Sequence, residues 1–410
     1  MPFAGFHLLV PIAVIAGIAM LLAHAAAKFV PFYRSEIDKE VAATRYHAID
    51  GLRGFLALAV MCHHAVITHF LYSTGQWQLP PSHIAIFLGR GGVALFFMIT
   101  AFLFWSRALR EASHFDVRAF YWGRIRRMVP MYATSTTALI VTVLCLTHFQ
   151  IRVPMFELLK EIVSWMSFPT LFGLNINAYP STGLVNTVYW SLAYEWMFYL
   201  AFPLLLLFTR GPAQLLLTLV GSLLIVLFSS YQVEWYFITG MAVAALSERF
   251  GPSPLLLSPI ASLVVLAFLG LAVTFDWMLY DWLGALIMLV PFYVIANGNT
   301  MFGVLTCRCA RLLGMISYSL YLIHNFVLYL GFRLVDHVLG VVKINESAFW
   351  AATAVCAIIT IALSMLTFRY IESPALRAKL PAFFAPRAGV ALPRVSRADS
   401  RRSDRQDLAA

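Results

Sequence analysis

The sequence predicts an all-α protein that crosses a membrane many times. Of its 410 residues, 61% are hydrophobic and only 12% are charged, and the mean hydropathy is +0.81. A soluble protein of this length would carry roughly twice that charged fraction. Apolar segments long enough for a helix to cross a hydrocarbon core of about 30 Å recur along the chain. We therefore expect about eleven transmembrane helices.

The first apolar segment, residues 5–26, has no Lys or Arg ahead of it, whereas four basic residues follow it between positions 28 and 45. A secretory signal carries its positive charges first, so this order predicts a membrane anchor whose N-terminus faces outside. The small residues 23–27 resemble a cleavage site. Cleavage there would place the basic segment outside, against the charge rule, so we reject it.

The other spans are placed by their apolar runs, and the loops by their charges. Residues 73–84 contain no Lys or Arg and are predicted outside, whereas residues 107–129 contain six arginines and are predicted to form an inner loop. Residues 156–165 are amphipathic and are expected in the membrane interface. These assignments give an N-out, C-in topology. The predicted spans are 5–26, 52–72, 85–106, 130–147, 188–208, 213–230, 234–247, 255–274, 278–296, 312–334 and 348–369.

The formal net charge of +10 does not indicate nucleic-acid binding, because residues 374–410 hold eight of the 29 Lys and Arg. A basic tail after the last span is expected inside the cell, next to anionic lipid headgroups. The five cysteines form no disulfide framework, and the pair Cys307 and Cys309 lacks the further ligands of a zinc site. The sequence predicts an extra N-terminal helix with a basic linker (1–45), a membrane domain (46–375) and a basic, disordered cytoplasmic tail (376–410).

Ionisable residues within the apolar spans are the candidate functional groups, since burying them costs several kcal/mol and they usually face a cavity, a partner or a site. Arg53 and His64 are eleven residues apart, so they share one face of a helix. Counted from the inner edge at the helical rise, His64, His324 and Glu195 lie at about 16, 18 and 20 Å. This similarity in depth predicts a polar centre.

The residue types suit proton transfer and anion binding. A histidine can take a proton from a hydroxyl, and a carboxylate can orient or recharge it. Arg53 and the cluster at Arg124 and Arg127 could hold the phosphates of a cytoplasmic donor such as coenzyme A. The structural alternatives are helix packing for the histidines and lipid contact for the arginine cluster. Glycines 89, 91 and 92 are expected to permit close helix approach, because no strand precedes them as a nucleotide loop requires.

In combination, these segments resemble the acyltransferase 3 family of integral-membrane O-acyltransferases, over about residues 46–375 and in order along the chain. The similarity selects His64 over the adjacent His63, which is rotated by about 100°. The matching segments are Asp50-Gly-Leu-Arg-Gly54 with its Arg-x10-His spacing to His64, Gly92–Leu103, Arg124-Ile-Arg-Arg127 with Pro130 and Tyr132, Trp190-Ser-Leu-Ala-Tyr-Glu195, Ile316–His324 and Arg369-Tyr-Ile-Glu-Ser-Pro374.

The resemblance implies a ten-helix acyltransferase core plus the extra N-terminal helix. It implies an O-acetyltransferase of the bacterial inner membrane that uses acetyl-CoA and no metal. The acceptor would be a hydroxyl of a cell-surface polysaccharide, a lipopolysaccharide or a lipid-linked glycan. The implied roles are catalysis for His64, Glu195 and Arg53; donor binding for Arg124, Arg127, Asp50 and Arg90; and lining of the cavity or acceptor site for His324, Tyr318, Trp190 and Tyr194.

The sequence departs from the family pattern at Thr100-Ala101, where Ser-Gly is usual, and at Ala94, where an acid is common. Both changes are expected to alter the shape of the cavity and the choice of acceptor. Two other functions stay open at this point. A proton-coupled transporter or flippase of a glycolipid would use the buried His and Glu as a proton relay, although no internal repeat is visible. A membrane scaffold would leave the buried ionisable groups without a purpose.

Overall fold

The computed structural model describes residues 6–379, apart from 44–45, 112–114, 168–174, 210–211 and 276–278, together with residue 381. These residues form helices joined by turns and loops, without a β-strand. The helices are α1 (Leu9–Phe29), α2 (Pro31–Ala43), α3 (His47–Thr74), α4 (His83–Glu111), α5 (Val117–Leu146), α6 (Met155–Met166), α7 (Thr182–Val185), α8 (Tyr189–Leu205), α9 (Ala213–Phe228), α10 (Trp235–Phe250), α11 (Pro259–Thr274), α12 (Trp282–Ala296), α13 (Arg308–Met315), α14 (Ser317–Leu339), α15 (Glu346–Thr367) and α16 (Ser373–Leu376).

The predicted all-α membrane fold is confirmed. Within the described residues, seven helical segments are long and apolar enough to cross a membrane, and α9, α11 and α12 are shorter apolar helices. Each predicted span overlaps a helix, and the predicted amphipathic segment 156–165 coincides with α6. The count of eleven spans and the N-out, C-in orientation stay predictions.

Two expectations about helix boundaries were wrong. The basic segment 107–129 is largely helical, because α4 continues to Glu111 and α5 begins at Val117. An ion pair from Arg107 to Glu111 supports the last turn of α4, and the Asp116 side chain accepts hydrogen bonds from two backbone N–H groups at the start of α5. The predicted span 312–334 is divided at Ile316 between α13 and α14. The predicted linker 28–45 contains the helix α2.

The centre of the bundle is formed by α3 and α4, which are buried along most of their length. Helix α10 packs closely on α4, where a Cβ on Gly240 would lie 2.5 Å from the Met98 carbonyl oxygen. The first turns of α3 approach α13 even more closely. A Cβ on Gly314 would lie 1.8 Å from the Asp50 carbonyl oxygen, and one on Gly51 would lie 1.9 Å from that of Leu305. These contacts exclude any side chain and fix the start of α3.

Helix α2 ties the N-terminal segment to this same region. Tyr33 and Ile37 are buried, and the Tyr33 hydroxyl donates to the Met365 carbonyl oxygen at 3.0 Å. The carboxylate of Glu40 pairs with the buried guanidinium of Arg311 at 2.8 Å. Apolar packing and a buried ion pair therefore dock α2 beside the beginning of α3.

Candidate active site

A cavity of about 250 Å³ is lined by the N-terminal parts of α3, α5, α8 and α14 and by the middle of α4. It contains three guanidinium groups, one carboxylate, three tyrosine hydroxyls and three serine or threonine hydroxyls within an apolar wall. The lining residues are Arg53, Val93, Phe96, Phe97, Ile99, Thr100, Leu103, Phe104, Arg124, Arg127, Met128, Ser191, Leu192, Glu195, Tyr199, Ser317, Tyr318 and Tyr321. Five of the predicted site residues meet here: Arg53, Arg124, Arg127, Glu195 and Tyr318.

Glu195 is held by hydroxyl groups, and no ion pair joins it to another of the described residues. The Tyr199 hydroxyl, one turn further along α8, donates to Glu195 Oε1. Thr100 Oγ1 on α4 donates to the same oxygen at 3.4 Å. Thr100 is one of the positions at which the sequence departs from the family pattern, so this departure alters a direct contact of the carboxylate.

Two of the cavity arginines, Arg124 and Arg127, stand against aromatic rings. Arg124 lies over the ring of Phe104 at 4.6 Å and near that of Tyr199 at 5.8 Å. Arg127 lies 5.7 Å from the Tyr318 ring. The Nε atoms of Arg53 and Arg124 are buried and have no hydrogen-bond partner among the described residues. Unpartnered buried guanidinium donors are suited to phosphate oxygens.

Glu372 is a site residue that the sequence reasoning missed. Its carboxylate is 1% exposed, lies 3.3 Å from Arg127 Nη1 and accepts a hydrogen bond from Ser319 Oγ. It sits in a π-helical segment, Phe368–Glu372, that follows α15. The signal was an acidic residue at the end of an apolar span, within the matched segment Arg369–Pro374. Glu372 fixes Arg127 and offsets part of the positive charge of the cavity.

His64 and His324 are in direct contact, deeper in the bundle. Nδ1 of His64 lies 2.8 Å from Nε2 of His324, and the rings are stacked with an interplanar angle of 11°. Both side chains are at most 9% exposed. The structure therefore brings together two histidines that lie 260 positions apart in the sequence.

The hydrogen bonds of the pair fix which nitrogen is free. Nδ1 of His324 lies 3.1 Å from the Leu320 carbonyl oxygen, which can only accept, so this nitrogen carries the proton. In the neutral ring, Nε2 of His324 is then an acceptor, and it receives the Nδ1–H of His64. Nε2 of His64 is left unprotonated, and no described residue hydrogen-bonds it. The network thus presents a basic nitrogen at His64.

Neither histidine lines the arginine cavity. Tyr321 lies between this cavity and the histidine pair. Tyr321 lines the cavity, while its ring centroid is 5.8 Å from that of His324. Its hydroxyl is hydrogen-bonded to Ser191 Oγ at 2.7 Å, and its ring packs against Phe96. Glu195 and the histidines therefore do not form one cluster, although their predicted depths were similar.

The remaining predicted residues lie outside the cavity. Arg90 stacks on Tyr280 at 5.3 Å, and Trp190 contacts the rings of Tyr194 and Tyr280. Arg90 is three residues, about 4.5 Å along α4, from Val93 in the cavity wall. The donor-binding role of Arg90 stays a prediction, and Trp190 and Tyr194 are direct neighbours in α8 of Ser191 and Glu195, which line the cavity.

Asp50 and His63 lie where helices pack closely together. Asp50 is outside the cavity, one turn before Arg53, and its backbone carbonyl is the group that approaches Gly314. His63 lies 2.6 Å through Nδ1 from the Ala85 carbonyl oxygen, and its ring fills the space beside Gly89. The glycine at position 89 therefore permits close packing, in agreement with the expectation for that segment.

The described part of the chain contains no group of three or more His, Cys, Asp or Glu side chains placed to hold a metal ion. Cys307 and Cys309 lie with their sulfur atoms 3.1 Å apart. Burial, followed by the contact with Cys307, raises the pKa of the Cys309 thiol to about 11. This thiol is protonated at neutral pH, which makes it a weak nucleophile and a weak metal ligand.

A family model described as an acyltransferase domain, that of the acyltransferase 3 family, matches residues 46–369. The match covers more than three quarters of the chain and includes every site residue named above except Glu372. Comparison with curated proteins and with solved structures found no match.

Proposed function

Because the chain belongs to the acyltransferase 3 family and is therefore a membrane acyltransferase, we propose that it is an O-acetyltransferase of the bacterial inner membrane. The donor is acetyl-CoA from the cytoplasm. The acceptor is a hydroxyl of a cell-surface polysaccharide, a lipopolysaccharide or a lipid-linked glycan.

The arginine cavity is proposed as the entry site of the donor. Arg53 and Arg124 each have a buried Nε without a protein partner, and Arg127 is held by Glu372. Phosphate groups of coenzyme A would supply the missing acceptors. The apolar wall formed by residues such as Phe97 and Leu103 suits the uncharged arm that carries the thioester.

His64 is the proposed general base, and His324 is the residue that positions it. Nε2 of His64 takes the proton of the acceptor hydroxyl as the hydroxyl oxygen attacks the thioester carbonyl. The new C–O ester bond forms and the C–S bond breaks. The proton then passes from His64 to the coenzyme A sulfur, which leaves as the free thiol. Glu195, hydrogen-bonded to Tyr199, is proposed to relay this proton or to polarise a substrate group.

The hydrogen-bond chain from the Leu320 carbonyl through His324 to His64 is the observation that carries this proposal. It supports base catalysis because it leaves one nitrogen available and in the basic form.

The test is mass spectrometry of surface glycans from cells with the protein, without it, and with His64→Ala. Loss of an increment of about 42 Da, one acetyl group, is expected both without the protein and in the variant. His63→Gln on the same helix is the matched control and is expected to retain acetylation within a few-fold.

A different mass increment would keep the mechanism and change the donor. Full acylation by a folded His64→Ala protein would remove the base role of His64. Movement of a glycolipid across vesicles without acyl-CoA, with no acyl transfer, would instead favour the proton-coupled transporter.

A further inference from the structure

We infer that Trp77 receives the sugar ring of the acceptor and holds it against His64. This inference rests on the proposed function, since it concerns the acceptor of that same reaction. It assigns a residue for acceptor binding at the end of the bundle away from the arginine cavity.

Trp77 lies in the segment 75–82, which joins the end of α3 to the beginning of α4. Its ring centroid is 5.8 Å from that of His64, and the two planes make an angle of 47°. The indole is only partly buried, whereas His64 is 9% exposed. Trp77 therefore connects the free surface at this end of the bundle to the histidine whose Nε2 is unpartnered.

The segment that carries Trp77 is anchored at both ends. Gly75 ends α3 with φ 75°, in the left-handed region, and its N–H donates to the Leu71 carbonyl oxygen at 2.9 Å. Ser82 is buried, and its hydroxyl accepts from the Ala85 N–H at the start of α4. The orientation of Trp77 toward His64 is thus set by the ends of two central helices.

The chemistry of this segment suits a neutral sugar. One face of a pyranose ring consists of C–H groups that pack on an indole, while its hydroxyls project from the edge of the ring. Residues 75–82 contain no charged side chain, and the exposed amides of Gln76 and Gln78 flank Trp77. A tryptophan that only anchored the membrane interface would face lipid, whereas this ring faces a buried histidine.

The experiment compares Trp77→Ala, Trp77→Phe and Trp282→Ala in cells that make the acylated glycan, with two readouts. The first is acyl groups per glycan repeat, and the second is the Kd of the purified protein for acetyl-CoA. Trp282 is 52% exposed at the start of α12 and touches neither His64 nor the cavity, so it is the matched control.

We expect Trp77→Ala to lower acylation by about tenfold or more, Trp77→Phe to restore part of it, and neither to change the Kd for acetyl-CoA. Trp282→Ala should match the unmodified protein. Unchanged acylation in Trp77→Ala would overturn the inference. So would a parallel loss of acetyl-CoA binding, or a wild-type product that contains no sugar ring. Absence of any acyl transfer by the unmodified protein would instead contradict the proposed function itself.

Discussion

The two stacked histidines show how one backbone carbonyl sets the protonation of a side chain that it does not contact. The effect passes through the histidine between them. The Leu320 carbonyl oxygen fixes the proton of His324 on Nδ1, and His324 in turn fixes the proton of His64 on its own Nδ1. The hydrogen bonds of the pair therefore run in one donor-to-acceptor order, and only His64 keeps an unprotonated nitrogen without a partner among the described residues. In the proposed reaction, His324 acts through His64 and does not touch the substrate.

Replacing His324 should therefore affect the chemical step more than donor binding. For His324→Ala we expect kcat to fall roughly 10- to 100-fold, because His64 loses the acceptor that selects its tautomer, while the Kd for acetyl-CoA stays within about twofold. His324→Gln should recover part of the rate, since its amide oxygen can accept from Nδ1–H of His64. Steady-state kinetics with purified protein in lipid nanodiscs separates the two parameters. A rise in KM with unchanged kcat would show that His324 serves binding instead.

Arg124 gives a test of the donor cavity. Its guanidinium stacks on Phe104 with Nε unpartnered, so we expect Arg124→Ala to weaken acetyl-CoA binding roughly tenfold or more, the loss of one charge-assisted hydrogen bond. The binding that remains should depend less on salt concentration. Isothermal titration calorimetry at two ionic strengths measures both effects.

Arg126 is the control for that measurement. It lies two residues away on the same helix, but it does not line the cavity, and its Nη1 donates to the Ala378 carbonyl oxygen at 2.7 Å. Arg126→Ala should leave the Kd for acetyl-CoA nearly unchanged. Equal weakening by the two substitutions would mean that the basic cluster acts on the donor only through its overall charge.

At the residue scale, the helical rise placed His64 and His324 at similar depths, and the structure joins them. The same arithmetic placed Glu195 with them, but Tyr321 stands between. Depth depends on position along a helix, which the sequence gives. Whether two side chains at one depth meet depends on helix tilt and rotation, which packing sets and a single sequence does not report.

At the scale of elements, the glycines of Asp50–Gly54 have a clear physical purpose. Gly51 faces the Leu305 carbonyl oxygen, and Gly54 faces Leu313 and Gly314, so the first turns of α3 pack backbone against backbone. This contact holds Arg53 at the cavity while leaving its side chain free. The sequence identified the segment as important, but it could not show that the glycines serve contact with α13 and with the turn that precedes it.

Gly314→Ala should therefore be strongly destabilising. Its Cβ would overlap the Asp50 carbonyl oxygen, and a backbone atom cannot move away as a flexible side chain can, so we expect a loss of roughly 2–4 kcal/mol. Gly123→Ala in α5 is the control, since no atom lies within 4 Å of its added Cβ. It should be neutral or stabilising by up to about 1 kcal/mol. Thermal unfolding in detergent compares the two, and equal melting temperatures would contradict the close contact.

The helix boundaries show a different limit of sequence reasoning. Hydropathy locates the part of a helix that lies in lipid, and it placed the beginning of the fourth span at Pro130. In the structure, α5 begins thirteen residues earlier and carries Arg124 and Arg127 on regular helical turns. Long basic side chains place their charges in the polar layer while their helix continues, so a basic segment is a poor sign of a loop.

At the scale of the whole molecule, composition and the family pattern were sufficient for the all-α membrane fold. The number of spans was harder to define, since α10 is short and partly polar and α13 is separated from α14 by a single residue. Charge distribution predicts the orientation, and a chemical labelling experiment tests it.

In a variant without its five native cysteines, Gln78→Cys should react with a membrane-impermeant maleimide in intact cells. Lys379→Cys should react only after the membrane is opened. This outcome follows from the absence of basic residues at 73–84 and their abundance after the last span. The reverse labelling pattern would show that the topology is opposite to the predicted one. Labelling of both residues in intact cells would show that the number of spans between them differs by one from the predicted number.

The position of Tyr321 between the arginine cavity and the histidine pair has a consequence for the membrane potential of the cell. A protein that admits a cytoplasmic donor on one side and an external hydroxyl on the other is at risk of leaking ions, and each elementary charge that crosses 100 mV dissipates about 2.3 kcal/mol. Tyr321, hydrogen-bonded to Ser191 and packed on Phe96, lies between the arginine cavity and His324. We expect the Tyr321 side chain to block the passage of ions, so that the proposed acyl transfer proceeds without discharge of the membrane potential.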